Sequence, residues 1–308
     1  MKFSKFLTEA GVAFNNILYP KFNNIVILAG GSASGKGFVL NNVLLISGKV
    51  YDIDDLKDLI IKDQDFNDAF FDYLENHYVS KGKKLDSRVS EILEKGLTPD
   101  ELDLKNPLDT SILHFFTAYK DYDNKLKNNL FLQAAKTDRK PNVIFDVTMK
   151  NTDILDMIWK YVVLGGYDPL NVHLVWVLNS VKKAIEQNSE RSRVVSLGVL
   201  KDTHKGVSET MKQILKNFDT KLSSGEKVSD LIQGDVWIVP NLEGVDADIR
   251  KSGQGNFEIT MLNKFQVKES GKPVIPFADL ERKYFTKGSN LLAKINSYVP
   301  DDAKWDSE

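Results

Sequence analysis

The feature that most constrains this chain is an apolar run, Ile25-Val-Ile-Leu-Ala29, that stops at Gly30-Gly31-Ser32-Ala33-Ser34-Gly35-Lys36-Gly37. Apolar residues on consecutive positions predict a strand buried on both faces, the kind found in a parallel sheet covered by helices. The glycine-rich stretch matches the Gly-x4-Gly-Lys pattern of a phosphate-binding loop. It lies between that strand and an amphipathic segment carrying Phe38, Val39, Val43 and Leu44, which is the setting the mechanism needs. Small residues let the main chain wrap phosphate oxygens, successive N–H groups form a nest, and a helix start adds partial positive charge. Lys36 adds a full one. The nucleotide-binding set expected from the loop is Gly30, Gly31, Ser32, Ala33, Ser34, Gly35, Lys36, Gly37 and Phe38. The bland alternative is a glycine-rich turn that binds nothing. Because Gly37 and then Phe38 follow the lysine, no hydroxyl stands next to it to reach Mg2+. Metal is then left to Ser32 or Ser34, to carboxylates further along, or to water.

The rest of the chain sets this motif in a larger pattern. Strand-like runs at Val50–Ile53, Asn142–Asp146, Val172–Leu178 and Asp235–Val239 alternate with helical segments near 36–46, 54–62, 152–165, 181–193 and 206–219. That alternation predicts a three-layer α/β fold with a mostly parallel sheet. Residues 63–141 break the rhythm and are too long for a bare loop, so they read as a helical insertion between the second and third sheet strands. Insertions there lie near the carboxyl ends of the strands, where ligands bind; a lid and a stabilising appendage both fit. Phe257–Leu262 and Lys264–Lys268 suggest a hairpin, 278–296 a helix, and 301–308 an acidic tail. The expected division is a core over 1–240 that includes the insertion, then a C-terminal extension over 241–308.

Composition removes several classes of chemistry. With no cysteine, the chain has no disulfide, no thiolate nucleophile and no cysteine-ligated metal. Its 41 basic and 43 acidic residues give a net charge of −2, which argues against broad electrostatic coating of nucleic acid but leaves a local basic groove open. The first residues lack an export signal, and no apolar run approaches the ~18 residues of a membrane span. A cytoplasmic protein without a membrane partner is expected.

Three acidic or basic clusters follow the loop. Asp52 and Asp54 alternate after Val50, so they share a face if the strand continues that far. One can accept a proton from a hydroxyl attacking a phosphate while the other holds Mg2+; equally, Asp54 or Asp55 can cap a helix over 54–62. The run Asn142-Val-Ile-Phe-Asp146 ends a strand in an acid that can orient Mg2+, with Thr148 just beyond it. Asn151 or Thr152 can cap the next helix. Residues 181–216 hold eight Lys/Arg against four acids, and Arg191 and Arg193 can stabilise a transferring phosphoryl group or simply face solvent. His114, in Leu113-His-Phe-Phe116, reads more readily as structural than as a substrate contact.

Taken in order, these motifs resemble the zeta-toxin-like branch of P-loop kinases, relatives of polynucleotide kinases. The resemblance rests on the Gly30–Gly37 loop, on Asp52-Ile-Asp54-Asp-Leu-Lys57, on Phe145-Asp146-Val-Thr148-Met-Lys-Asn-Thr-Asp153 and on the Arg191/Arg193 pair. It covers roughly residues 23–220 and matches 63–141 poorly. It implies an ATP- and Mg2+-dependent phosphotransferase. Asp54 falls at the family's hydroxyl-activating base, Lys36, Arg191 and Arg193 at its phosphate-binding cations and Asp146 near its metal; Asp52 and Thr148 are the further oxygen donors expected to hold Mg2+. The implied acceptors are hydroxyls of a nucleotide sugar, a polynucleotide or a small metabolite. The other reading is a nucleotide-binding protein of weak or no catalysis that works through a protein partner.

Overall fold

The computed structural model describes residues 12–14, 17–19, 22–40, 49–51, 67–78, 87–241, 249–251, 257–259, 265–276, 279–280, 282, 291–296 and 299. Two short strands, β1 (Val12–Phe14) and β2 (Ile17–Tyr19), pair antiparallel ahead of the main sheet. The five apolar runs then form five mutually parallel strands: β3 (Ile25–Ala29), β4 (Lys49–Tyr51), β5 (Val143–Val147), β6 (Val172–Asn179) and β7 (Val236–Asn241). Their spatial order is β4-β5-β3-β6-β7, which puts β3 at the centre. The chain goes outward from β3 to β4 and returns through β5, then passes β3 to reach β6. The carboxyl edge beside β3 is therefore the switch point at which open α/β sheets form their ligand crevice.

Burial explains the apolar runs. All five residues of β3 and all eight of β6 are buried, because both sheet faces are covered. On one face Val26, Leu28, Ile144, Val175, Val177, Trp237 and Val239 pack with Val39 and Leu40. Val39 closes α1 (Lys36–Val39), the helix that follows the loop. On the other face Phe145 stacks on Phe131, which stacks in turn on Tyr161. In-register pairing sets Leu28 opposite Asp146 and Ala29 opposite Trp176, so Asp146 shares its face with Leu28.

Between β4 and β5 come α2 (Asn67–Tyr73), α3 (Ser87–Lys95), α4 (Pro107–Tyr119) and α5 (Tyr122–Ala134). Phe70, Tyr73, Val89, Ile92, Ile112 and Phe116 make a core of their own there, with the Phe70 and Phe116 rings edge-on at 5.3 Å. Arg88 grips the fully buried Asp109 through two bonds of 2.7 Å. By internal contacts the chain divides into one unit of residues 1–51, 131–186 and 198–308 and a second of 52–130 and 187–197. The helices α4 and α5 are parted at Lys120-Asp121, where Asp121 takes a left-handed φ of 54°.

After β5 come α6 (Asp153–Gly165), α7 (Val181–Glu190), α8 (Leu197–Lys216) and α9 (Val228–Leu231). Among the described residues, the two strands of the hairpin expected near the C-terminus pair elsewhere. Strand β8 (Ile249–Lys251) pairs with β9 (Phe257–Ile259), and β10 (Phe265–Lys268) joins β7 as an antiparallel edge strand of the main sheet. The last described helix is α10 (Leu291–Asn296). The helix expected over 54–62, the later part of that over 36–46, and the tail at 301–308 lie outside the described residues. Among the described residues no helix is long and apolar enough to cross a membrane.

Candidate functional site

The loop after β3 is tied to the strands on either side. Gly30 N donates to Val147 O at 3.3 Å, and Asn179 Nδ2, at the end of β6, donates to Ala33 O at 3.4 Å. Gly30 has no room for a side chain: a Cβ would lie 2.5 Å from Ser34 Oγ and 2.9 Å from Val177 O. The turn is completed by Ser34 N donating to Gly31 O at 3.2 Å and by positive φ at Ala33 (56°) and Gly35 (89°). A left-handed alanine costs roughly 1–2 kcal/mol, so the surrounding contacts hold the loop in this form. The first helical bond beyond it runs from Val39 N to Gly35 O at 3.0 Å. The amides of Lys36, Gly37 and Phe38 precede that bond, as the first amides of a helix do.

Lys36 folds back over the loop. Its Nζ donates to Gly30 O at 2.9 Å and Gly31 O at 3.2 Å, and stands 3.5 Å from Asp146 Oδ1. The two side chains are 12% and 14% exposed, so the charges are sheltered yet open on one side. Thr148, one step past the end of β5, is exposed. Ser32 and Gly37 lie on the loop, and Ser34 is 1% exposed.

Sequence reasoning missed the loop's other neighbour, α8. Thr203 Oγ1 accepts from Ser32 N at 3.1 Å, and His204 Nε2 lies 2.8 Å from Ser32 O. A carbonyl only accepts, so Nε2 carries the proton. Burial holds His204 below the ordinary imidazole range and the Lys36 charge adds to this, against the opposing bond to Ser32; the ring is neutral at neutral pH. The one signal in the sequence is a histidine among Leu200, Val207 and Met211 on the apolar face of a helix, which gives no hint of what it touches.

The structure thus brings together Lys36, Asp146 and the loop Gly30–Phe38, with Thr148 close by in sequence. Asp52 and Asp54 lie outside the described residues; β4 ends at Tyr51, opposite Phe145, the residue before Asp146. Arg191 and Arg193 belong to the second unit. The helix expected to run through them ends at Glu190 and both fall in the bend that follows, Arg193 buried and Arg191 half-buried. That bend is fastened within its own unit by Val194 N donating to Leu104 O at 3.0 Å. His114, on α4, is exposed.

No cluster of three or more metal-binding His, Asp or Glu side chains occurs among the described residues. Magnesium asks for less when phosphates are present, since one or two carboxylates, water and phosphate oxygens complete its shell. A single hard oxygen donor, Asp146, beside the lysine of a glycine-lined loop fits that requirement.

No family model and no curated protein matches the chain. Among solved structures it is similar to the AvrRxo1-ORF1:-ORF2 crystal structure with ATP, at 11% identity and a TM-score of 0.39 over 91% of this chain and 72% of that one. It is also similar to a structure from the PezAT chromosomal toxin–antitoxin system of Streptococcus pneumoniae, at 10% identity and a TM-score of 0.33 over 94% of this chain and 86% of that one.

Proposed function

We propose that the chain is an ATP-dependent phosphotransferase that moves the γ-phosphoryl group of ATP to a hydroxyl of a nucleotide sugar, a nucleic-acid end or a small metabolite. The observation that carries this reading is the position of Lys36. Its ammonium is parked on two loop carbonyls, 3.5 Å from the carboxylate that ends the neighbouring strand. A cation so held, above a loop too narrow for side chains at Gly30 and Gly31, suits a polyphosphate better than any neutral ligand.

In this reading the loop amides and Lys36 bind the β- and γ-phosphates. Asp54 takes the acceptor's proton as the new oxygen–phosphorus bond forms, and the bond from the γ-phosphorus to the departing ADP oxygen breaks. Arg191 and Arg193 offset the charge of the phosphoryl in transit. Asp146, with Asp52 and Thr148, holds Mg2+, whose contribution when bound is to screen the phosphate oxygens. The sequence resemblance to zeta-toxin-like kinases points the same way.

One observation favours a second reading, a nucleotide-binding protein that acts through a protein partner. A Cβ at Gly37 would meet nothing within 4 Å, so space does not explain why a hydroxyl residue is missing there. Transfer from labelled ATP, scanned over nucleotides, nucleotide sugars and oligonucleotides with free 5′-hydroxyls, separates the two. The kinase reading expects one acceptor class to be labelled, Lys36→Ala to abolish labelling, and Asp54→Asn to stop transfer while leaving ATP binding nearly intact. Tight, metal-independent binding without turnover on any acceptor favours the second.

A further inference from the structure

One turn of α8 holds both main-chain polar groups of Ser32. Its N–H goes to Thr203 Oγ1 at 3.1 Å and its C=O takes the Nε2 proton of His204 at 2.8 Å. Thr203 Oγ1 in turn donates to Leu200 O at 2.8 Å, which fixes the hydroxyl's direction. The imidazole also occupies the space where a side chain on residue 31 would stand, because a Cβ on Gly31 would fall 2.4–2.6 Å from its ring atoms. Gly31 has no positive φ that would demand glycine, so the histidine is the reason for it.

The helix carrying this grip is itself anchored beside the other half of the site. Lys150, four residues past Asp146, forms an ion pair with Asp202 and accepts from Thr210 Oγ1 at 2.9 Å through its carbonyl. Gly206 packs so tightly there that a Cβ would lie 3.0 Å from Lys150 O. The helix α8 therefore links the phosphate loop to the segment that follows Asp146. The proton on His204 Nε2 is already committed to Ser32, so this ring braces the loop and does not bind a phosphate.

We propose that His204, with Thr203, is a positioning residue that fixes the Ser32 peptide and keeps the loop in its wrapped form before any ligand arrives. The consequence for nucleotide affinity rests on the kinase or nucleotide-binding reading above; the pinning itself does not. The test uses the full chain without nucleotide for amide hydrogen exchange, and ATP for calorimetry. His204→Ala is expected to speed exchange at residues 32–36 by about tenfold or more and to weaken ATP binding about tenfold, the cost of one lost buried bond. The effect should fall on KM more than on kcat, and His204→Gln, which restores an N–H donor, should return both readouts to within about threefold of wild type. If His204→Ala does not fold, Thr203→Val, which keeps the volume, should accelerate exchange at Ser32 in the same way. Exchange at 32–36 unchanged in these variants, or Ala and Gln equally impaired, overturns the proposal. Wild-type chain that takes no ATP, with exchange still accelerated by His204→Ala, refutes the nucleotide reading while sustaining the brace.

Discussion

The two edges of the main sheet are built from the same parts. At the carboxyl edge Gly31 is pressed against the His204 ring, Lys36 donates to the carbonyls of Gly30 and Gly31, and Asp146 stands beside the lysine. At the amino edge Gly234 is pressed against the His173 ring, Lys268 donates to the carbonyls of Gln233 and Gly234, and Asp235 lies 3.9 Å from His173 Nδ1. What differs is how the remaining valences are used. Asp235 Oδ1 accepts from Gln266 Nε2 at 3.1 Å and from Ser270 N at 2.8 Å, both supplied by β10 and the turn after it, and Lys268 is only 5% exposed. That edge is closed. The carboxyl edge ends in a loop whose next amides precede the first helical bond, beside a carboxylate and a lysine still open to solvent. A lysine on carbonyls is thus a sign of a site only together with an opening beside it, as at Lys36.

Exchanging the two lysines for uncharged residues should split the edges most widely. Lys36→Ala is expected to abolish detectable phosphoryl transfer, a loss of about 10³-fold or more, with little change in melting temperature. Lys268→Met should do the reverse, losing about 1–3 kcal/mol of stability as carbonyls are left unpaired, with ATP affinity unchanged. Equal effects of both on affinity would erase the contrast.

The histidines sharpen it through pH. Burial, reinforced by Lys268 and opposed by Asp235, pushes His173 down to about 4 from 6.5. The unfolded chain binds the extra proton in that window, so this stability is complete above pH 6.5 and is lost as pH falls to 4. The loss is readable by denaturant unfolding at each pH. His173→Gln should flatten that slope. An unchanged slope would place the acid sensitivity elsewhere.

Smaller effects come from the glycines. In Gly234→Ala the new methyl would meet Val172 O at 2.4 Å, an immovable strand carbonyl, so about 1–3 kcal/mol of stability should go. In Gly31→Ala it meets the His204 ring, and the loss should fall on ATP affinity before stability. Smallest of all is Gly37→Ser: its side chain enters open space, stability should hold within about 0.5 kcal/mol, and any gain should be confined to ATP binding measured with Mg2+.

The sheet was legible because its strands are buried on both faces and so read as unbroken apolar runs; the turn after β3 was legible because the residues that shape it are local, from Gly30 to Lys36. Asp146 was readable as an acid ending such a run. The α8 brace was not, since it joins Ser32 to residues 171 and 172 positions away and leaves no periodicity behind. Helix α8 starts at Leu197, ahead of the expected 206, because Gly198 and Gly206 weaken the helical signal in the sequence, and Gly206 is there for Lys150 rather than for the helix. The C-terminal hairpin failed for a similar reason. Apolar strands 257–259 and 265–268 look like neighbours, but β7 offers the second a better partner at the sheet edge.

The most direct test is a crystal structure with a non-hydrolysable ATP analogue. The account predicts its phosphates on the main-chain amides between Ala33 and Phe38, with Lys36 Nζ drawn from the Gly30 and Gly31 carbonyls toward them. An analogue bound elsewhere, with Lys36 still resting on those carbonyls, would contradict it.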